Sequence, residues 1–261
     1  MYQPGLVDRC NNGAHTDMDL LTFVNSSCAL IPYFRDITRR AQMFTGRPEH
    51  LLETVRPLGV MAEEAMLAST GGVNTHKGLI YSMGILCAAL GYLHRSEPEP
   101  DAERVFSMCA SIAGTATMAP ENASNQPKSN GQAVFEKHHI PGIRGEAAQG
   151  FPNVRKHSLP VMQKMMQQGC SMNDAGVTAL LHLIAYVDDT NMIHRSSLAR
   201  SREIQVMMRE HLAEPHDAAG LRLLAGQLDA QFIAEHLSPG GSADLLAITF
   251  MMYFLQEETS V

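Results

Sequence analysis

The densest concentration of reactive residue types is a glycine-rich turn feeding a helix start, Thr70-Gly71-Gly72-Val73-Asn74-Thr75-His76-Lys77-Gly78. Unpaired backbone N–H groups and the positive dipole end at such a start favour phosphate oxygens, and Lys77 adds a full charge. The same residues also suit a plain stop and restart, with Gly71-Gly72 closing one helix and Asn74 or Thr75 capping the next. It is not a Walker loop, because no glycine precedes the lysine and no strand leads in. A second glycine-rich start is Ser238-Pro239-Gly240-Gly241-Ser242, followed by Asp244. Gly240, Gly241 and Ser242 fit either an anion site or a simple Ser242 cap.

Three acidic clusters accompany these turns. His15-Thr16-Asp17-Met18-Asp19 and Asp188-Asp189-Thr190-Asn191 bring together the hard oxygen donors that Mg²⁺ prefers, and the second run continues into His194 and Arg195. Asp is equally common as a helix cap, so both readings stand. The third cluster is Arg144-Gly145-Glu146. On a surface it would be a weak ion pair; in a cleft, Arg144 would clamp phosphate and Glu146 would move a proton. The histidines have no metalloprotease spacing, and no zinc signature, nucleophile elbow or dinucleotide fingerprint occurs. If the clusters converge, they make one polar cleft suited to a phosphorylated ligand and Mg²⁺.

The elements that must position these residues read as helices. Ala, Leu and Met supply 72 residues against 38 from Val, Ile and Thr, the balance of a helical protein. Apolar residues recur at three- and four-residue steps from Met18 into the thirties, and from Leu51 to Ala65. Pro32 is expected to kink the first of these helices and Pro57 to interrupt the second. Gly78 to Leu93 reads as a buried helix, with Gly84 and Ala88 permitting close packing. Further helices are expected over 102–118, around Glu146, and over 159–168, 173–186, 199–212, 218–236 and 243–255. Ala119 to Gly131 reads as a polar loop. No βαβ alternation, fixed-period repeat or linker is visible. The expectation is an all-α, single-domain bundle of eight to eleven helices over residues 1–261, with a polar nucleotide-binding cleft.

Composition narrows the function. With 45% apolar and 18% charged residues, the 261-residue chain can bury a core. A formal net charge of −7 argues against a broad nucleic-acid footprint. The most apolar stretch is too short for a membrane span, and Met1-Tyr2-Gln3-Pro4-Gly5 does not resemble a leader. Five widely spaced cysteines without a CxxC pair read as buried thiols in a reducing compartment, so a cytoplasmic protein is expected.

Taken in order, six segments resemble the triphosphoribosyl-dephospho-CoA synthase family. They are Pro4-Gly5-Leu6-Val7-Asp8-Arg9; Asn12-Gly13-Ala14-His15 with Asp17; Gly72 to Gly78; Arg144-Gly145-Glu146-Ala147; Asp189-Thr190-Asn191 with Arg195; and Ser238 to Leu246. The resemblance implies an all-helical enzyme that makes 2′-(5″-triphosphoribosyl)-3′-dephospho-CoA from ATP and 3′-dephospho-CoA, releasing adenine. The product would pass to the transferase that loads the acyl carrier protein of citrate lyase or malonate decarboxylase. Such chemistry needs a base for a ribose hydroxyl, a donor for the departing adenine, and cations on the triphosphate. Within these segments, Lys77, Arg144 and Arg195 are expected on phosphates, and Mg²⁺ on Asp188, Asp189 or the Asp17/Asp19 pair. Glu146 would be the base and Asp8 the second choice. Asn74, Thr75, His76, Gly72 and Asn191 would complete the substrate contacts. The chain departs from the family pattern at Met1-Tyr2-Gln3, where relatives carry a lysine before the first Pro-Gly, and at Ser196-Ser197, where relatives often have two glycines. A nucleotide N-glycosidic hydrolase and a non-catalytic nucleotide or CoA binder are the alternative classes.

Overall fold

The structure, a computed structural model, describes residues 2–97, 99–114, 129–214 and 216–258. Among these residues the chain forms α1 (Leu20–Met43), α2 (Leu51–Ser69), α3 (Lys77–Leu93), α4 (Ala102–Ala113), α5 (Asn130–His138) and α6 (Gly142–Ala148). It continues with α7 (Leu159–Gln167), α8 (Met172–Tyr186), α9 (Thr190–Arg195), α10 (Leu198–Ala213), α11 (Ala218–Ala234) and α12 (Gly240–Glu258). A 3-10 turn at Pro48–His50 precedes α2 and a π-helical turn at Val154–Ser158 precedes α7. No strand occurs among the described residues, so the all-α expectation holds.

Two compact units interleave along the sequence. The first comprises Met1–Leu20, Lys128–Gly142 and Asn153–Tyr253; the second comprises Leu21–Pro127, Ile143–Pro152 and Phe254–Val261.

In the second unit, α3 is the central rod. Ile80, Ser82, Gly84 to Ala89, Gly91 and Leu93 are all buried, which matches its apolar composition. Leu30 of α1, Ala62 and Met66 of α2 and Ile80 of α3 form one cluster, with Tyr33, Phe34 and Leu67 packed against it. Burying each large side chain contributes roughly 1.5–3 kcal/mol. The close helix approach falls at Gly91 rather than at Gly84. A Cβ on Gly91 would run into the Thr38 carbonyl of α1, whereas one on Gly84 would meet Ile37 at an ordinary 3.5 Å.

In the first unit, α8 takes the central place. Asp174 to Leu181 and Leu183 to Ala185 are buried, because α7, α10 and α11 all pack on this helix. Gly176 lets Phe250 of α12 approach: a Cβ there would lie 2.6 Å from the Phe250 ring. Asp174 holds α11 to the start of α8 through two 2.8 Å bonds from Arg222.

Three expectations change. The helix α2 runs through Pro57 without interruption, as α1 continues through Pro32. A proline deletes one N–H and crowds one carbonyl, and buried anchors on both sides (Leu30 and Ile37; Val55 and Ala62) hold the helix across that defect. Twelve helices stand among the described residues where eight to eleven were expected. The additions, α5 and α9, are short and made by caps rather than apolar periodicity: a Ser129–Gln132 capping box starts one and Asp189 starts the other. The helix expected to reach residue 118 closes at Ala113, and residues 115–128, which include most of the expected loop, lie outside the described residues.

Candidate active site

Four of the six motif segments are built into each other within the first unit. Asp189, 2% exposed, sits just before α9. Its Oδ1 accepts the Asn191 and Met192 N–H groups at 3.0 and 3.2 Å, and its Oδ2 accepts the Ser242 N–H at 2.7 Å and the Ser242 hydroxyl at 3.0 Å. Burial raises its pKa, and the donors around it work in the opposite direction. One carboxylate thus caps α9 and ties it to the first turn of α12. Space beside it is tight: a Cβ on Gly240 would meet Asn191 Nδ2 at 2.6 Å, and one on Gly241 would meet Asp189 Oδ2 at 3.2 Å.

The N-terminal segment of this unit is a folded loop held by two aspartates. Asp8 accepts three backbone N–H bonds, from Gln3 at 2.7 Å, Cys10 at 2.6 Å and Asn11 at 3.2 Å. Asp229, buried on α11, accepts from Gly5 N at 3.0 Å and Asn11 Nδ2 at 2.7 Å. Arg195 then joins the loop to the rest. It donates to the Ala14 and His236 carbonyls at 3.0 and 3.3 Å and lies 3.2 Å from His15 Nδ1. The other ring nitrogen, Nε2, is 2.9 Å from Ser238 Oγ. Burial and the Arg195 charge hold the His15 pKa down, while Asp17, 3.7 Å away, pulls it up.

These contacts give several of the expected site residues structural partners. Asp189 is an anchor whose oxygens are both occupied by protein donors. Asp8 organises a turn through three N–H donors on its carboxylate. The Ser242 hydroxyl bonds Asp189. Asp188 pairs with Arg202 at 2.7 Å and accepts from Gln205 at 3.2 Å. Asn191 accepts from Asn130 at 3.2 Å. Among the described residues, no group of three His, Cys, Asp or Glu side chains gathers as a protein-only metal site would require. Asp17, 59% exposed, keeps an accessible carboxylate. Asp19 has interactions of its own.

The second unit joins the other two motif segments. Gly71 and Gly72 adopt φ of 67° and 94° with open space around them, so backbone conformation rather than crowding requires glycine there. Asn74 Oδ1 then accepts the Lys77 N–H at 3.1 Å and starts α3. The Lys77 ammonium lies 3.1 Å from Glu63 of α2, each about a third exposed at 28% and 31%. One turn further on, Tyr81 carries the Arg144 guanidinium over its ring at 5.6 Å. The Tyr81 hydroxyl is buried with no hydrogen-bond partner among the described residues. Burial raises its pKa, and Arg144 and Arg56 pull it down. Because residues four apart share a helix face, Lys77 and Arg144 are brought to one side of α3 through Tyr81. Glu146 is half-buried on α6, two residues beyond Arg144.

Sequence reading missed three residues of these assemblies. Asp229 shows only as a lone acid on the apolar face of α11. Ser26 and Glu63 show no signal, because Ser26 lies 2.7 Å from Thr75 Oγ1 and 2.7 Å from His76 Nδ1, and Glu63 pairs with Lys77, all far away in the chain.

A match to the CitG family, described as ATP:dephospho-CoA triphosphoribosyl transferase, spans residues 1–261. The 2-(5''-triphosphoribosyl)-3'-dephosphocoenzyme-A synthase of Pectobacterium atrosepticum is 39% identical over 260 residues, covering 98% of this chain and 84% of that protein. The protein of the same name from Klebsiella pneumoniae is 39% identical over 254 residues, covering 96% and 84%. A crystal structure described as a triphosphoribosyl-dephospho-CoA synthase from Archaeoglobus fulgidus aligns with a TM-score of 0.54 over 90% of this chain and 99% of its own. At 14% identity that likeness bears on the fold alone. Helical fold and full-length match together define an enzyme class, the all-helical triphosphoribosyl transferases. The chain belongs to the ATP:dephospho-CoA triphosphoribosyl transferase family.

No described helix is long and apolar enough to cross a membrane.

Proposed function

We propose that the chain transfers the triphosphoribosyl group of ATP to the ribose 2′-hydroxyl of 3′-dephospho-CoA. The bond from C1′ to adenine N9 breaks, its electron pair leaves with adenine, and a new C1′–O bond forms. The acceptor hydroxyl gives up its proton, and adenine gains one. The observation that carries this reading is the family match over the whole chain, with motif segments assembled around shared residues inside each unit. Lys77 and Arg144, on one side of α3, suit the triphosphate. Glu146 is the candidate base for the acceptor hydroxyl, since Asp8 is occupied by backbone donors.

Mg²⁺ would accompany the triphosphate and neutralise part of its charge. This ion is commonly held by one or two carboxylates plus substrate phosphates, so the lack of a three-carboxylate cage does not conflict with it. Asp17 fits as a holding residue, Asp188 fits once it is released from Arg202, and Asp189 does not fit.

The product would serve as precursor of the prosthetic group on the acyl carrier protein of citrate lyase or malonate decarboxylase, passed on through a dedicated transferase. A cytoplasmic setting suits this use of ATP. It also suits the five free thiols, of which Cys87 and Cys109 are buried and pushed well above the usual thiol range.

Adenine release tests the reading. With ATP and Mg²⁺, free adenine should form only when dephospho-CoA is present. Release without the acceptor would indicate a hydrolase; no release, despite stabilisation by ATP, would indicate a binding protein.

A further inference from the structure

Outside the six motif segments, the first unit has a basic concavity. A shallow cavity of about 270 Å³ opens between α8 on one side and the π-helical turn with α7 on the other. Lys156 and His157 come from the π turn, Lys164 from α7, and His182 and Tyr186 from α8. His182 and Tyr186 are four residues apart and share one face of their helix. The two walls are joined by a stack: His157 lies flat on Tyr186, with centroids 3.8 Å apart and planes 5° apart. Arg209 of α10 closes the corner, its guanidinium 5.9 Å from the Tyr186 centroid and bonded to the Ala185 carbonyl at 2.8 Å. Single π turns are rare and frequently stand at functional sites.

The charges around this cavity are all of one sign. Pro160 and Val161 complete the lining, so no carboxylate enters it. Among the described residues neither Lys156 nor Lys164 has an ion-pair partner, whereas Lys77, Arg200, Arg202 and Arg222 are each held by an acid. Asp188, two residues past Tyr186, is taken up by Arg202 and Gln205. Arg155, next to Lys156, has interactions of its own. Two of the five lysines therefore line one cavity in a chain whose net charge is −7. The histidines register the crowding. His157 is held below its ordinary pKa by burial and the Lys156 charge, and His182 by burial and His157.

We propose that this cavity is an anion site that takes a phosphate or pyrophosphate group between Lys156 and Lys164, beside His157 and His182. Lysine binds phosphate as a point charge on a flexible stem, and two such charges suit an oxyanion with more than one negative charge. Pockets that enclose a drug-sized ligand run to roughly 300–1,000 Å³, so this one suits a small anion and not a whole nucleotide. His157 already covers one face of Tyr186, which leaves charge as the main feature for recognition. None of these residues enters the proposed transfer chemistry, so the site stands independently of that reading.

The test uses the full chain labelled with ¹⁵N-histidine and followed by NMR at about pH 6.5, where histidine titrates. Pyrophosphate should move the His157 and His182 ring signals saturably, with a Kd below about 1 mM. It should also raise the His157 pKa, because a bound anion favours the charged ring. Sodium chloride at equal ionic strength should leave both signals in place. Combining Lys156→Ala with Lys164→Ala should weaken binding about tenfold or more. Both lysines are exposed, so this double variant should keep the wild-type unfolding curve. ATP separates the two sources of such a group. Binding of ATP as tightly as pyrophosphate assigns the site to a nucleotide's phosphate tail, and binding of pyrophosphate alone assigns it to a free oxyanion.

Three results would overturn the inference. They are no saturable shift with pyrophosphate up to about 10 mM, an equal response in the double variant, or a saturable shift with adenosine.

Discussion

Lys77 Nζ and Glu63 Oε2 are 3.1 Å apart, so the one lysine of the glycine-rich turn is already paired inside its own unit. An anionic ligand must compete with Glu63 for that charge. At about a third exposure each, such a pair contributes roughly 0–1 kcal/mol, which a triphosphate can overcome. Lys77→Ala should therefore raise KM for ATP severely, about tenfold or more. Glu63→Gln should lower it, by up to about fivefold. Steady-state kinetics with both variants checks the pair; a raised KM in Glu63→Gln would show that the carboxylate positions the lysine instead of competing for it.

Asp189 should behave as a structural anchor. Asp189→Asn replaces an oxygen that accepts two bonds with a group that cannot accept them, and should destabilise the fold by about 2–4 kcal/mol. Urea unfolding with and without Mg²⁺ measures this. The loss should be the same in both conditions. A loss seen only with Mg²⁺ would return Asp189 to the metal.

The first residue of α12 lies close against Asn191. Gly240→Ala would push a methyl to 2.6 Å from Asn191 Nδ2 and should loosen the junction of α9 with α12. A destabilisation of about 1–3 kcal/mol is expected from overpacking. Gly72→Ala has open space but a φ of 94°, so its cost should arise from backbone strain alone. Thermal unfolding of the two variants, with hydrogen exchange on the Asn191 and Ser242 amides, separates the mechanisms: only Gly240→Ala should expose those amides.

His76 should leave a signature in stability against pH. Its pKa is about 4 in the folded chain against an ordinary 6.5. Above 6.5 both folded and unfolded states hold it neutral, and it contributes no pH dependence. As pH falls from 6.5 towards 4, the unfolded chain takes up the proton first, so stability is lost, by roughly 3 kcal/mol in all. Wild type minus His76→Gln, compared by urea unfolding at pH 7 and pH 4.5, isolates the effect. A difference that does not change with pH would place the His76 titration near its ordinary value.

Much of the fold was legible because helix period and composition agree. The strongly apolar run that became α3, and the glycine stops before α3 and α12, are local signals. Short helices were not legible: α5 and α9 depend on a side-chain cap, and one cap carboxylate, Asp189, is completed by Ser242, 53 residues away. The site segments were legible as segments, through their glycines and their family resemblance. What each side chain does was not. Asp8 and Asp189 looked like a base and a metal ligand because an aspartate has the same formula in a cap, a turn and a metal site. Only their bonding partners separate those roles. Ser26 and Glu63 were invisible for the same reason, since nothing local marks a serine or glutamate whose partner is about 14 to 50 residues distant.

The central claim is that the acceptor of the triphosphoribosyl group is the 2′-hydroxyl of dephospho-CoA. The most direct measurement gives the purified chain ATP and Mg²⁺ with either dephospho-CoA or its 2′-deoxy analogue, and follows free adenine and adduct mass together. The account predicts one adenine per adduct with dephospho-CoA, and neither product with the deoxy analogue. Adenine release that continues at an undiminished rate with the deoxy analogue would contradict it.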